Sequence, residues 1–175
     1  MATNNSSNNQ LGPNSSLVMT SNGAMLLAQQ PSFMAYLSTN ATGATGDGTT
    51  YTVIFDTVVF DKSSSYNNSS GAFSAPVAGV YQFDGAINLA AGTISTSTSF
   101  QVKLLTDGGS FYPIQINPNA GTISGGLTQS FSLKANMLGG DIAQVQVTVS
   151  GLIAATVAIG GSANYITYFS GALLN

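Results

Sequence analysis

Large apolar side chains recur at every second position along several stretches of this chain, separated by runs of Gly, Ser, Thr, Asn and Asp. In residues 80–90, Tyr81, Phe83, Ile87 and Leu89 fall on one side, and Gln82, Asp84 and Asn88 on the other. Period two marks a half-buried β-strand. The same alternation sets Phe100, Val102 and Leu104 against Gln101 and Lys103. It sets Phe131, Leu133, Ala135 and Met137 against Ser132, Lys134 and Asn136, and Val145, Val147 and Val149 against Gln144, Gln146 and Thr148. "SFMAYLS" (32–38) and the β-branched and aromatic run "YTVIFDTVVF" (51–60) predict earlier strands, and "NYITYFSGALL" (164–174) a closing one. "TNATGATGDGTT" (39–50) and "DKSSSYNNSSG" (61–71) predict loops, and "TDGG" (106–109) a turn. Roughly eight to ten strands at this spacing predict an all-β fold, a two-sheet antiparallel jelly-roll sandwich.

Residues 1–30 do not share the pattern. The first 23 are rich in Asn and Ser, with one short apolar contact, "LVM". Such a segment buries too little surface to order itself and is ordered only when something holds it. "AMLLAQQ" (24–30) suits a short helical turn or a docking plug. The expected organisation is an attachment arm and linker over 1–30 and a head over 31–175.

Composition narrows the function. Charged residues make up 5% of the chain, with three Lys, six Asp and a net charge of −3. Typical soluble domains carry about 25%. Without a cationic footprint, nucleic acid is not an expected partner. No apolar run approaches the length of a membrane span. The N-terminus lacks the basic segment and apolar core of a secretory signal, so the chain is expected to fold where it is made. The Asn-x-Ser/Thr matches at Asn40 and Asn68 therefore carry little weight.

The absence of His and Cys removes Ser-His-Asp and Cys-His catalysis and the usual zinc sites. Asp56 and Asp61 are near enough in sequence to suggest a carboxylate pair. Structural roles are the favoured alternative, because the Trp, Arg and Glu of a sugar-cleaving cleft are missing. No catalytic residue is assigned, and the protein is expected not to be an enzyme. Calcium takes oxygen ligands from Asp and backbone carbonyls. The Gly-flanked Asp47 and Asp107 are the candidates, with simple turn roles as the alternative.

One spaced set of residues resembles a known family. Phe55, five residues, Asp61, four, Tyr66, six, Phe73, five, Gly79, one, Tyr81, one, Phe83 is similar to the signature of the complement C1q globular-head family, within the C1q/TNF-like jelly rolls. That signature ordinarily continues with an aromatic two residues on, where this chain has Gly85. A bulge or a closely approaching backbone would account for it. "LGGDIAQVQV" (138–147) and "FSGALL" (169–174) resemble two later strands of the family. Gly171, inside the last, suggests close passage of another backbone.

The resemblance implies a homotrimer, with apolar and aromatic side chains in its seam. Met137, Tyr165 and Tyr168 are candidates for that interface. Phe111 and Tyr112 suit either ligand binding or burial in the seam. The segments "YNNSSG" (66–71) and "GGSFYPIQ" (108–115) are further ligand-loop candidates. The low charge, the Asn/Ser-rich arm and the similarity of residues 14–38 to linkers in phage fibres together suggest a virion surface protein: a head fibre, decoration or tail-fibre tip. Its arm would join a capsid or tail protein, and its head would adhere to a host-surface glycan or protein. The alternatives are a bacterial surface or spore-coat protein, which should carry a stalk not seen here, and a secreted recognition head.

Overall fold

The computed structural model describes residues 17–19, 25–27, 30–90, 99–116 and 126–174. Two compact units separate at residues 30 and 31. In the first, β1 (Leu17–Met19) and β2 (Met25–Leu27) pair antiparallel, with Val18 opposite Leu26. Met25–Leu27 is therefore strand, not a helical turn. The rest of the expected attachment arm lies outside the described residues.

In the second unit every described regular element is a strand: β3 (Ser32–Tyr36), β4 (Ala41–Thr45), β5 (Thr50–Thr52), β6 (Thr57–Asp61), β7 (Tyr66–Asn67), β8 (Ala72–Ser74), β9 (Gly79–Leu89), β10 (Ser99–Thr106), β11 (Gly109–Ile116), β12 (Leu127–Met137), β13 (Ile142–Ser150), β14 (Val157–Ile159) and β15 (Tyr168–Leu173). Sheet I runs β6-β3-β15-β9-β12, with β14 and β4 extending from β9. Sheet II runs β7-β8-β13-β10-β11, with β5 also on β13. All these pairings are antiparallel. The two sheets enclose one apolar core, the jelly-roll sandwich expected from the alternation.

The alternating residues fall as expected. Tyr81, Phe83 and Ile87 are fully buried, as are Val145, Val147 and Val149 from the opposing sheet. Local composition misled in five places. The expected loop at 61–71 contains β7, and the ligand-loop candidate at 108–115 is almost wholly β11, paired in register with β10. "TNATGATGDGTT" contains β4 and the start of β5 rather than a continuous loop. Thr45 makes this possible: its Oγ1 accepts the Val149 N–H at 3.0 Å and donates to the Thr49 carbonyl, so the buried hydroxyl is satisfied. "YTVIFDTVVF" is broken at residues 53–56, so Asp56 lies between strands and not on one. The closing strand begins only at Tyr168, because Tyr165, with φ of 56°, belongs to a turn.

Candidate functional site

The spaced signature residues converge. Phe55, Phe73, Tyr81 and Phe83 are fully buried, and Tyr66 nearly so. With Phe33 of β3 and Phe169 of β15 they form one aromatic cluster. Phe33 stacks on Tyr66 at 4.9 Å and on Phe73 at 4.8 Å, while Phe169 packs edge-on to Phe33 at 5.1 Å and stacks on Phe83 at 5.6 Å. The two hydroxyls inside are satisfied locally. Tyr66 donates to the Phe55 carbonyl at 3.2 Å and Tyr81 to the Val77 carbonyl at 2.8 Å. Burial pushes both phenols above their ordinary range, so neither ionises in use.

The Asp61–Tyr66 spacing has a physical cause. Asp61 ends β6, and its carboxylate accepts the Tyr66 N–H at 2.9 Å, the Ser63 N–H at 3.3 Å and the Ser65 hydroxyl at 3.3 Å. It closes the turn that delivers Tyr66 to the cluster. Asp56 does separate work: its carboxylate accepts the Ser38 N–H at 2.9 Å, the Ser38 hydroxyl at 2.7 Å and the Thr57 hydroxyl at 3.1 Å. Burial opposes ionisation of Asp56, but those donors outweigh it and hold the carboxyl below the usual aspartate range. Asp61 closes its own turn, while Asp56 ties the segment after β5 to Ser38 beyond β3, so each carboxylate has a separate structural role.

Two glycines explain departures from a simple strand. Gly171 lies between Phe33 and Phe83 in register. A β-carbon there would come within 2.7 Å of the Phe33 ring and 2.8 Å of the Phe83 ring. Crowding by rings, rather than a passing backbone, requires the glycine. Gly85 sits in an unbroken register opposite Phe131, so it is not a bulge. A β-carbon at Gly85 would meet the Phe131 ring at 2.5 Å and the Tyr168 carbonyl at 2.9 Å. The space vacated at residue 85 is filled by an aromatic from the neighbouring strand.

The calcium candidates are turn residues. Asp47 accepts the Thr49 N–H at 3.0 Å, and hydrogen bonds from Thr49 lower its pKa. Asp107 accepts the Ile142 N–H at 3.0 Å. Among the described residues no three Asp, Glu, His or Cys side chains converge.

The surfaces carry the remaining information. On the outer face of sheet I, register places Phe60, Met34, Ser170, Asp84 and Ser132 in one row, and Thr57, Tyr36, Tyr168, Ala86 and Ser130 in the next. Tyr165 packs edge-on to Tyr36 at 4.7 Å and is 45% exposed. Asp84, the one acid in these rows, accepts a hydrogen bond from Gln82, which also donates to Ser132. Tyr165 and Tyr168 thus share an open aromatic face. Met137 does not: it is 1% exposed and points into the core, because it continues the inward series of Phe131, Leu133 and Ala135.

Exposed apolar side chains gather at two edges of the sandwich. At β6, Val58, Val59 and Phe60 are exposed. At the other edge, β12 lies beside β11. There Phe111, Tyr112, Pro113, Phe131 and Leu133, with the hydroxyls of Ser110, Ser130 and Ser132, line an open groove of about 620 Å³. Tyr112 and Pro113 fall where the β10–β11 register slips between Val102 and Leu104, which accommodates a proline. The sequence marked Phe111 and Tyr112. It gave no sign of Phe131 as their neighbour, or of the exposed β6 edge.

Comparison with known proteins agrees with this architecture. No curated protein matches the chain. Among solved structures, the globular domain of zebrafish complement 1qA protein superposes with a TM-score of 0.57 at 15% identity, covering 83% of this chain and 98% of its own. Murine APRIL, at pH 8.5, superposes at 0.55 and 12% identity, covering 83% and 99%. At such identities the likeness establishes the fold. The profile of the C1q domain matches residues 32–174, nearly all of the second unit. The chain belongs to the C1q domain family.

Proposed function

We propose that residues 31–175 form a trimeric, non-enzymatic recognition head. The observation that carries this is the pair of unlike exposed apolar patches at two edges of the sandwich: Val58, Val59 and Phe60 on β6 of sheet I, and Phe111 and Tyr112 on β11 of sheet II, beside β12. Unlike patches make a heterologous contact, which forms a ring when the rotation between copies closes. The family supplies the expected number of copies, three. The half-buried face bearing Met34, Tyr36 and Tyr168 lies between the patches and turns toward the ring's interior. With little charge to bury, association costs little desolvation.

The head belongs at a particle surface, joined to a virion by residues 1–30. The arm's Asn/Ser composition and the scarcity of charge support this, and three copies provide the multivalency that host adhesion needs. Native mass spectrometry tests the assembly. The full chain should give three copies, and Phe60→Ser or the Phe111→Ser/Tyr112→Ser pair should release monomers. A monomeric parent overturns the trimer. Immunolabelling of purified particles tests the location, and absence of label from intact virions contradicts it.

A further inference from the structure

The outer face of sheet II differs in chemistry from every surface described above. Register aligns Gln115, Gln101, Thr148 and Thr50 in one row across β11, β10, β13 and β5, and Lys103, Gln146 and Thr52 in the next. On β13 the polar groups are engaged. Thr148 shares a hydrogen bond with Thr50 at 2.9 Å, Gln146 donates to Thr52 at 3.2 Å, and Gln144 donates to the Ser70 carbonyl at 3.0 Å. Gln101 and Gln115 are cross-strand partners and, among the described residues, their amides make no such bond. They line an open groove of about 340 Å³ with Ser99, Ile116, Thr148 and Ser150.

We propose that this groove binds a neutral glycan. Each primary amide presents one acceptor oxygen and a donor nitrogen. Two amides on adjacent strands can therefore answer adjacent sugar hydroxyls, which both donate and accept. The hydroxyls of Ser99 and Ser150 extend the same pattern, and Ile116, partly buried against the core, lines the same groove. Among the described residues no ionic side chain lines the groove, so a charged ligand gains no counter-charge from them. Lys103, one outward position further along β10, is outside the lining. The groove is on the sheet that the proposed ring leaves open. The inference rests on that assembly for avidity, since three shallow sites reinforce one another, but not for its contacts.

The test uses the full-length protein and defined probes: neutral hexasaccharides of glucose, galactose and N-acetylglucosamine, and a sialylated pentasaccharide as the acidic probe. Binding is read by saturation-transfer NMR and calorimetry. At least one neutral probe should bind, and Gln101→Ala/Gln115→Ala should weaken it about tenfold or more through loss of the amide hydrogen bonds. That variant should keep the parent's melting temperature and oligomeric mass. The Phe111→Ser/Tyr112→Ser pair should retain per-site affinity in solution while losing retention on a glycan-coated surface. If this pair stays trimeric while the glutamine variant loses binding, the assembly fails and the glycan site stands. No binding of any neutral probe, unchanged affinity in the glutamine variant, or preference for the acidic probe abolished by Lys103→Ala overturns the site.

Discussion

The two sheets are built by the same alternation and bury the same core, yet their outer faces differ. Sheet I presents Tyr36, Tyr168, Met34 and Phe60 across three strands. Sheet II presents glutamines and threonines, many already bonded to one another. An aromatic face left open to water forgoes burial worth about 25 cal/mol per Å², whereas an amide and hydroxyl face loses nothing by staying wet. The proposed assembly rests on this difference: it covers the outer face of sheet I and leaves that of sheet II exposed.

The strongest way to break this contrast is to place one charge on each face. Tyr168→Asp should dissociate the assembly, raising the midpoint concentration about a hundredfold or more, as an unpaired charge in an apolar interface does. Gln146→Asp on sheet II should leave the oligomer intact and change stability by less than about 0.5 kcal/mol. Analytical ultracentrifugation across concentration compares the two, and equal effects would erase the distinction between the faces.

Next in size are the glycines of the shared core. Gly171→Val should cost about 3 kcal/mol, since the Phe33 and Phe83 rings leave no room for side-chain atoms. Gly85→Ala should cost about 2 kcal/mol by the same crowding against Phe131. In a double-mutant cycle measured by urea unfolding, Gly85→Ala should cost less in a Phe131→Ala background, because the ring it meets is gone. Relief should be partial, as the Tyr168 carbonyl still stands 2.9 Å from the new carbon. Strict additivity would show that Phe131 does not occupy the vacated space.

The smallest expected effect is a response to acid. Asp56 has its folded pKa below the ordinary 3.8. Its stabilisation is therefore complete above that value and is lost as pH falls through the lower folded one. Asp56→Asn should show a shallower decline of melting temperature below that pH than the parent. An identical slope would mean that the Ser38 hydrogen bonds do not favour the ionised carboxyl.

Much of the fold was legible because period two reports which residues share a face. Tyr81, Phe83 and Leu89 went inside as the alternation required. It could not report what covers the other face. Met137 and Tyr168 both read as strand residues of apolar character, but one fills the core and the other looks outward. β4 was hidden because its Gly and Thr composition reads as loop, and only the tertiary bonds of Thr45 to Val149 and Thr49 make it a strand. Gly85 was visible as a departure, but its cause sits 46 residues away, at Phe131 on the adjacent strand. Gln101 was visible only as a polar strand position and Gln115 only as part of an expected loop, until the register set them side by side.

The central claim is that the half-buried aromatic face of sheet I and the apolar edges at β6 and β11 are closed by copies of this chain. Native mass spectrometry of the full chain at micromolar concentration tests it most directly. A mass of three times 17.8 kDa, reverting to a single copy in Tyr168→Asp, is the result predicted. A parent chain that stays monomeric and folded at that concentration would contradict it.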